Sequence, residues 1–223
     1  MLKNDMEKKD QKTRTVKEVM TEVYKENLWG GKNEPFYSGS GSHKQKIVEP
    51  YILAVTKWLA SLDEKLVVCD LGCGDFNVGR QLVSYSKEYV GIDVVDALIQ
   101  RNQTLFKGDK LMFECLDIIQ EKLPEGDCAI VRQVLQHLSN EEILMLMPKL
   151  REYRFLVVTE HLPFAEFVPN IDKPTDYDIR LRKKSGVVLT EAPFDLKPLK
   201  EKKLLTIGFR QRSQITTTLY QNF

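Results

Sequence analysis

The chain has 223 residues, of which 42% are hydrophobic and 29% charged, with a net charge of +1 and an isoelectric point near 7.6. This length allows one domain with a sizeable core and some additions, and it excludes two large domains. The balanced charge argues against a nucleic-acid partner, because such binding depends on many cationic contacts to phosphates. No apolar run approaches the roughly 20 residues of a membrane span, so no membrane partner is expected.

The cysteines lie in or beside predicted core strands, at Cys69, Cys73, Cys115 and Cys128. No Cys-x-x-Cys pair or neighbouring histidine accompanies them, so we expect buried small apolar residues and no bound metal. The Lys/Glu-rich start also lacks the apolar core of a secretory signal. These features predict a cytoplasmic protein in a reducing compartment.

The first 60 residues predict a helical extension with two amphipathic helices. The first helix starts near Val16, after a capping box in which Thr15 pairs with Glu18. The second is expected to start with Ser42 and Gln45 as its cap. Glycines, serines and aromatic residues fill the segment between them, which indicates an ordered loop rather than a plain linker.

Strand and helix patterns alternate through the middle of the chain. The predicted strands cover 66–71, 88–93, 111–116, 127–131 and 154–159, and the predicted helices cover 76–85, 96–106 and 140–150. Such alternation indicates a parallel sheet with helices on both faces. Two further alternating segments, at 204–209 and 214–220, predict a closing antiparallel hairpin.

The helix starts and one helix face can also be predicted from local patterns. Asp96 is expected to cap the second helix of this region, and Ser139 with Glu142 to form a capping box for the third. The run from Ile143 to Met147 is rich in methionine and is expected to fill the core against the sheet.

A glycine-rich turn follows the first strand, where residues 67–75 read VVCDLGCGD. Gly72 and Gly74 can take positive φ angles and let a ligand approach the backbone closely. The helix predicted after them would offer free N–H groups to an anionic group. Asn77 stands where a dinucleotide-binding GxGxxG motif has its third glycine, which argues against a pyrophosphate site.

Acidic residues mark the ends of three consecutive strands, with Asp70 before the glycines, Asp93 after the second strand and Asp117 after the third. A fourth apolar strand then leads into Arg132 and Gln133. This order of motifs resembles that of the class I methyltransferases that use S-adenosylmethionine, and the match runs over residues 67–160.

The resemblance implies a Rossmann-like, mostly parallel seven-stranded α/β sheet with an antiparallel C-terminal hairpin. Residues 61–223 would form the methyltransferase domain and residues 1–60 a helical lid. The cofactor would be S-adenosyl-L-methionine, with S-adenosyl-L-homocysteine as the product. The cofactor-binding residues implied in this way are Asp70, Gly72, Cys73, Gly74, Asp93, Val94, Asp117, Ile118, Arg132 and Gln133, with Trp29 and Gly30 from the lid.

The acceptor is expected to lie between the lid and an irregular segment at residues 161–202, because open α/β sheets bind ligands beyond the carboxyl ends of their strands. The segment holds several acids near residues 172–178, for which a hydrated loop is favoured over a metal site. The residues expected to face the acceptor are Tyr24, Ser40, Gly41, Ser42, Glu160 and Arg180.

Histidine is suited to remove a proton from an acceptor, because its pKa lies near neutrality. His161, directly after the fifth strand, and His137, after the fourth, are the candidate catalytic residues. For His137 a packing role is the alternative, and His43 is expected at the surface or in the lid.

We therefore predict an S-adenosylmethionine-dependent methyltransferase that acts on oxygen or nitrogen of a small or medium-sized acceptor. Two alternatives remain at this point. One is a non-catalytic module that binds the cofactor, and the other is an NAD(P)-dependent oxidoreductase, which would leave Asp117 without a use. The acceptor and the oligomeric state do not follow from the sequence.

Overall fold

One sheet of seven strands organises the protein in the computed structural model, which describes residues 14–31, 34–209 and 213–223. The strands are β1 (Val67–Leu71), β2 (Glu88–Asp93), β3 (Leu111–Cys115), β4 (Cys128–Arg132), β5 (Phe155–Pro163), β6 (Lys200–Phe209) and β7 (Ser213–Gln221).

The strand order is β3-β2-β1-β4-β5-β7-β6, and the first five strands of this order are parallel. β7 runs antiparallel between β5 and β6. The predicted parallel sheet and closing hairpin are therefore confirmed. The chain crosses from β3 to β4 on the other side of β1, and such a reversal opens a crevice at the carboxyl ends of the strands.

Five α-helices accompany the sheet in the described residues: α1 (Val16–Lys25), α2 (Ser40–His43), α3 (Gln45–Ala60), α4 (Asp96–Leu105) and α5 (Asn140–Leu150). Successive side chains of a strand point to opposite faces. Val68 of β1 accordingly lies in one core cluster with Val55 of α3, whereas Cys69 lies in another with Leu146 of α5. The sheet is thus covered on both faces, as predicted.

The N-terminal extension divides into two parts with different surroundings. Val23 of α1 packs with Val95 and Leu98 at the start of α4. α3 belongs instead to the main core, where Tyr51 and Val55 are almost completely buried. We use the name lid for residues 14–31 and 34–43 only, because α3 packs against the sheet in the main core. Residues 1–13, which the sequence analysis included in the extension, lie outside the described residues.

The α-helix predicted at 76–85 is wrong. Two short 3₁₀ turns, Gly79–Gln81 and Val83–Tyr85, occupy this segment. Phe76 adopts a left-handed conformation with φ of 64°, and its ring packs edge-on against Phe106 and Phe113. This aromatic packing takes the first residue of the predicted helix out of helical geometry.

The predicted helix caps are confirmed in two cases and wrong in two. Capping boxes form at Thr15 before α1 and at Ser139 before α5. The Ser42–Gln45 cap does not form, because α2 already occupies this segment and Lys44 precedes α3 without a side-chain cap. Asp96 lies inside α4 as its first residue and is preceded by Val95.

Two predictions of burial are also corrected. Cys115 is exposed, because β3 lies at the edge of the sheet. In the methionine-rich helix α5, Ile143 and Met147 are buried, but Met145 is 44% exposed on the outward face. In the described part of the chain, no helix is both long and apolar enough to cross a bilayer.

Candidate functional site

A cavity of about 550 Å³ lies at the carboxyl ends of the parallel strands and beneath the lid. Strands β1, β2 and β4, the turns that follow β1 and β4, and the lid all contribute to its walls. The residues proposed from the sequence that line it are Tyr24, Trp29, Ser40, Gly41, Ser42, Asp70, Gly72, Cys73, Gly74, Asp93, Val94, Asp117, Ile118, Arg132, Gln133, His137 and His161.

The glycine turn follows β1 with backbone geometry that favours glycine, since φ is 84° at Gly72 and 56° at Gly74. A Cβ at Gly72 would overlap the side chain of Val134. The helix that was expected to offer free N–H groups after this turn does not form, because two short 3₁₀ turns stand in its place. The N–H groups of Gly72 and Cys73 both donate to the Ile92 carbonyl at 2.8 Å, so the backbone of this turn is satisfied internally.

Asp93 connects the glycine turn to the end of β2. Its Oδ2 accepts a hydrogen bond from the N–H of Gly74, and its Oδ1 accepts one from the N–H of Val95, both at 3.1 Å. Burial raises the pKa of this carboxyl group to about 6, against the lowering effect of these backbone donors. An ionised carboxylate has further lone pairs, so Asp93 can also accept hydrogen bonds from ligand hydroxyl groups.

Asp117 lies after β3 on the same rim. Its Oδ1 accepts a hydrogen bond from the N–H of Ile119 at 2.9 Å. Between Asp93 and Asp117 the cavity is lined by apolar side chains, among them Val94 and Ile118. A cavity that combines carboxylates with apolar side chains suits a ligand with both hydroxyl groups and a flat apolar ring.

Asp70 braces the cavity floor. The hydroxyl group of Tyr89 donates to its Oδ2 at 2.8 Å. Burial raises the pKa of Asp70 to about 6, and the Tyr89 hydrogen bond and the Arg132 charge act in the opposite direction.

Arg132, the last residue of β4, forms hydrogen bonds with the lid. Its Nη2 donates to the carbonyl oxygen of Gly41 at 2.6 Å, and its Nη1 donates to the Ser42 hydroxyl group at 3.2 Å. The guanidinium also lies over the ring of Tyr51, with 4.8 Å to the centroid. Burial lowers the pKa of Arg132, which the neighbouring Tyr51 and Asp70 oppose.

The lid also contacts the glycine turn through residues that were not predicted from the sequence. His43 Nε2 lies 2.5 Å from Oδ2 of Asp75, and the His43 ring stacks on Tyr37 with centroids 4.3 Å apart. The side chain of Asn77 donates to the carbonyl oxygen of Ser42 at 2.7 Å. Asn77, which argued against a dinucleotide site, is therefore a lid contact.

His137 lies in the 3₁₀ turn after β4 and lines the cavity. Its Nδ1 lies 3.2 Å from the carbonyl oxygen of Asp178, which requires a proton on Nδ1 and leaves the lone pair on Nε2, where the side-chain amide of Gln136 lies 3.3 Å away and can donate to it. Burial lowers the pKa of His137 to about 4. Its ring also contacts Trp29, whose indole N–H donates to the carbonyl oxygen of Tyr177 at 3.1 Å.

His161 lies within β5 rather than after it, and it also lines the cavity. Its Nε2 lies 2.9 Å from the hydroxyl group of Ser213 on the neighbouring strand β7. A role in proton transfer would therefore involve Ser213 as well.

Three residues proposed from the sequence do not line the cavity. Glu160 points to the opposite face of β5 and is buried, and burial raises its pKa to about 8. Arg180 is 1% exposed and donates to the carbonyl oxygen of Leu135 at 3.0 Å and to the Asn140 side chain at 2.8 Å. Gly30 is exposed beside Tyr37. The acceptor and cofactor roles assigned to these three residues are corrected accordingly.

The segment after β5 has no helix or strand over residues 170–178, and its partly exposed acids pair with nearby groups. Asp172 accepts a hydrogen bond from the N–H of Asn140 at 2.7 Å, and Lys173 pairs with Asp176 at 2.9 Å. Asp178 pairs with Arg182 at 2.6 Å. Across the described ranges, no group of three or more His, Cys, Asp or Glu side chains is arranged to hold a metal ion.

The comparison with solved structures decides the fold. The N-methyltransferase NodS from Bradyrhizobium japonicum WM9, in complex with S-adenosyl-L-homocysteine, has a TM-score of 0.63 and 14% identity, and the match covers 92% of this chain and 98% of that one. The chain has the class I methyltransferase fold.

Two further solved structures share this fold. Magnesium protoporphyrin IX methyltransferase from Synechocystis PCC 6803, with bound SAM, has a TM-score of 0.57, 18% identity and coverage of 94% and 99%. A SAM-dependent methyltransferase from Leishmania major has a TM-score of 0.63, 14% identity and coverage of 93% and 87%. No family model and no curated protein matches the chain.

Proposed function

We propose that this protein is an S-adenosylmethionine-dependent methyltransferase that acts on a small or medium-sized acceptor. The observation that carries the proposal is that Asp93, Asp117 and the glycine turn, each on a different strand end, line one cavity. The fold supports it, since the solved structures that share the fold include methyltransferases with this cofactor or its product bound.

The cavity residues fit such a cofactor in chemistry and in order along the sheet. Asp93 would accept hydrogen bonds from the two ribose hydroxyl groups, and the slot between Val94 and Ile118 would hold the adenine ring. The turn at Gly72 and Gly74 would lie beside the methionine chain. When bound, the cofactor would supply a methyl group on a sulfonium, whose carbon an acceptor lone pair would attack while the bond to sulfur breaks and S-adenosyl-L-homocysteine leaves.

The protein's own contribution is to align the acceptor and exclude water, which can account for several kcal/mol of the barrier. The lid closes the cavity above the glycine turn through Ser38, Ser42 and His43. Residues 14–31 and 34–43 are therefore proposed to form the lid of a methyltransferase domain that starts at α3.

His137 and His161 are proposed to face the acceptor. Burial lowers the pKa of His137 to about 4, and its Nε2 already lies 3.3 Å from the Gln136 amide nitrogen, so His137 is better suited to packing beside the acceptor than to removing a proton. His161, with Ser213 as its neighbour, is the better placed of the two for proton transfer.

The two alternative functions make different predictions about binding and turnover. An NAD(P)-dependent oxidoreductase needs a close approach of a pyrophosphate to the turn, but Asn77 and Ser42 meet there. A non-catalytic module would bind the cofactor and show no turnover with any acceptor.

The test is titration calorimetry with S-adenosyl-L-homocysteine and, separately, NAD⁺. Wild-type protein is expected to bind the first at micromolar concentration and not the second. Asp93→Asn should weaken that binding at least tenfold, whereas Asp109→Asn, at an exposed turn, should not change it. Absence of S-adenosyl-L-homocysteine binding to folded wild-type protein would refute the proposal.

A further inference from the structure

Arg132 occupies a distinct place along the rim of the cavity. The rim residues follow the strand order, with Asp117 after β3, Asp93 at β2, the glycine turn after β1, Arg132 at the end of β4, and His161 in β5. If the cofactor spans the first three of these positions, as the proposed function requires, Arg132 lies beyond the methionine chain on the side of the acceptor.

Among the described residues, no carboxylate forms an ion pair with the charge of Arg132. Arg132 is the only lysine or arginine among the described residues that line the cavity. Its Nε is buried without a hydrogen-bond partner in the described part of the chain. Asp70 acts on it only at longer range and accepts its hydrogen bond from Tyr89.

A buried cation without a paired anion is unfavourable, because it has lost its hydration. Two of the five guanidinium N–H groups donate to Gly41 and Ser42, and three remain. A ligand that supplies an anionic oxygen pair would satisfy them, since a guanidinium matches a carboxylate in two parallel hydrogen bonds.

We propose that the methyl acceptor carries a carboxylate group and that Arg132 binds it, an inference that rests on the proposed methyltransferase function. A carboxylate suits the site better than a phosphate, because the cavity is also lined by Asp70, Asp75, Asp93, Asp117 and Asp178. These acids repel a dianion more strongly than a singly charged group.

This arrangement links recognition of the acceptor to closure of the lid. The same guanidinium holds the Gly41 carbonyl from below, so an acceptor carboxylate bound to it lies directly beneath the closed lid. Arg132 is thus a specificity-determining residue that distinguishes acids from their neutral amides.

The experiment uses full-length protein saturated with S-adenosyl-L-homocysteine, with benzoate and acetate as probes and benzamide and acetamide as neutral counterparts. Side-chain ¹⁵N spectra report the Nε–H signal of Arg132. The two carboxylates are expected to shift this signal at millimolar concentration, and the amides to leave it in place.

Arg132→Gln should weaken benzoate binding at least tenfold more than it weakens S-adenosyl-L-homocysteine binding. Arg154→Gln, which removes the same charge at an exposed position outside the cavity, should retain the wild-type benzoate affinity. Arg132→Lys keeps the charge and should bind benzoate with an affinity between those of wild type and Arg132→Gln. The ¹⁵N experiment uses wild-type protein only, so it remains decisive even if a variant fails to fold.

Two results would overturn the inference. One is equal response of the Arg132 signal to acids and amides. The other is that Arg132→Gln weakens S-adenosyl-L-homocysteine tenfold but leaves 5′-methylthioadenosine unaffected, because the carboxylate would then be that of the cofactor. Failure of wild-type protein to bind S-adenosyl-L-homocysteine would instead refute the proposed function, and the calorimetric titration described above detects it independently of the acceptor probes.

Discussion

Ser38 and Asp75 exchange hydrogen bonds across the entrance of the cavity. The N–H of Ser38 donates to Oδ2 of Asp75 at 2.9 Å, and the N–H of Asp75 donates to Oγ of Ser38 at 2.8 Å. The hydroxyl group of Tyr24 lies 2.9 Å from the same Ser38 oxygen. Through this pair the lid and the glycine turn satisfy each other's backbone, so the closed lid is part of the hydrogen-bonded structure of the site.

Ser38→Ala is expected to loosen the lid. The substitution leaves the N–H of Asp75 without its acceptor, and an unsatisfied buried donor costs about 1–3 kcal/mol. Dissociation of S-adenosyl-L-homocysteine should accelerate roughly tenfold or more, measured by stopped-flow displacement. Ser61→Ala, at the exposed end of α3, removes a similar hydroxyl group and should keep the wild-type rate. Equal rates for both variants would show that the lid does not limit release.

Affinity for S-adenosyl-L-homocysteine is expected to fall at acid pH. Burial raises the pKa of Asp93 to about 6, and ribose hydroxyl groups favour its ionised form, so binding requires loss of that proton below pH 6. Calorimetry should show constant affinity above pH 7 and a decline of up to about tenfold per unit below pH 6.

Asp93→Asn provides the check on this pH dependence. Its affinity should be low throughout and should lack the part of the decline that Asp93 causes. An unchanged pH profile in Asp93→Asn would assign the effect to another group.

Glu160→Gln should change how stability depends on pH. Burial raises the pKa of Glu160 from 4.5 to about 8, so the folded state binds this proton more tightly than the unfolded state. The resulting stability is present at low pH and is lost as pH rises from about 4.5 towards 8, by about 1.4 kcal/mol per unit.

Urea unfolding at pH 5.5 and 7.5 measures this loss. Wild-type protein should lose about 3 kcal/mol more than Glu160→Gln over these two units. The neutral amide is close in shape to the protonated acid, so the two proteins should have similar stability at pH 5.5. The same difference between them at both pH values would contradict the assignment.

Gly72→Ala is expected to disrupt the turn after β1. The residue has φ of 84°, and an added Cβ would overlap the side chain of Val134 beside the cavity. We expect a loss of about 1–3 kcal/mol in unfolding free energy and at least tenfold weaker S-adenosyl-L-homocysteine binding. Gly208→Ala in β6 is the matched control, because a Cβ there meets no atom of the described residues within 4 Å. Comparable thermal melting of both variants would remove the argument for strain at Gly72.

The fold could be predicted largely from local patterns. Period-two and period-3.6 hydrophobicity located the strands of the sheet and the helices α4 and α5, and the acids at Asp93 and Asp117 indicated which edge of the sheet carries the site. The contacts of Asp75 with the lid could not be predicted in this way, because its partners Ser38 and His43 lie more than 30 residues away in the chain and meet it only in the folded protein.

The sequence by itself determined the strands along the chain and most of the helices, the turn at Gly72 and Gly74, and the acids at the ends of β2 and β3, since each depends on residues close together in the chain. Only the tertiary structure decided that Phe76 leaves the helical conformation, that Glu160 and Arg180 face away from the cavity, and that Arg132 lines it with no ion-paired carboxylate among the described residues. These outcomes depend on burial and on contacts between distant segments, which short-range patterns do not encode.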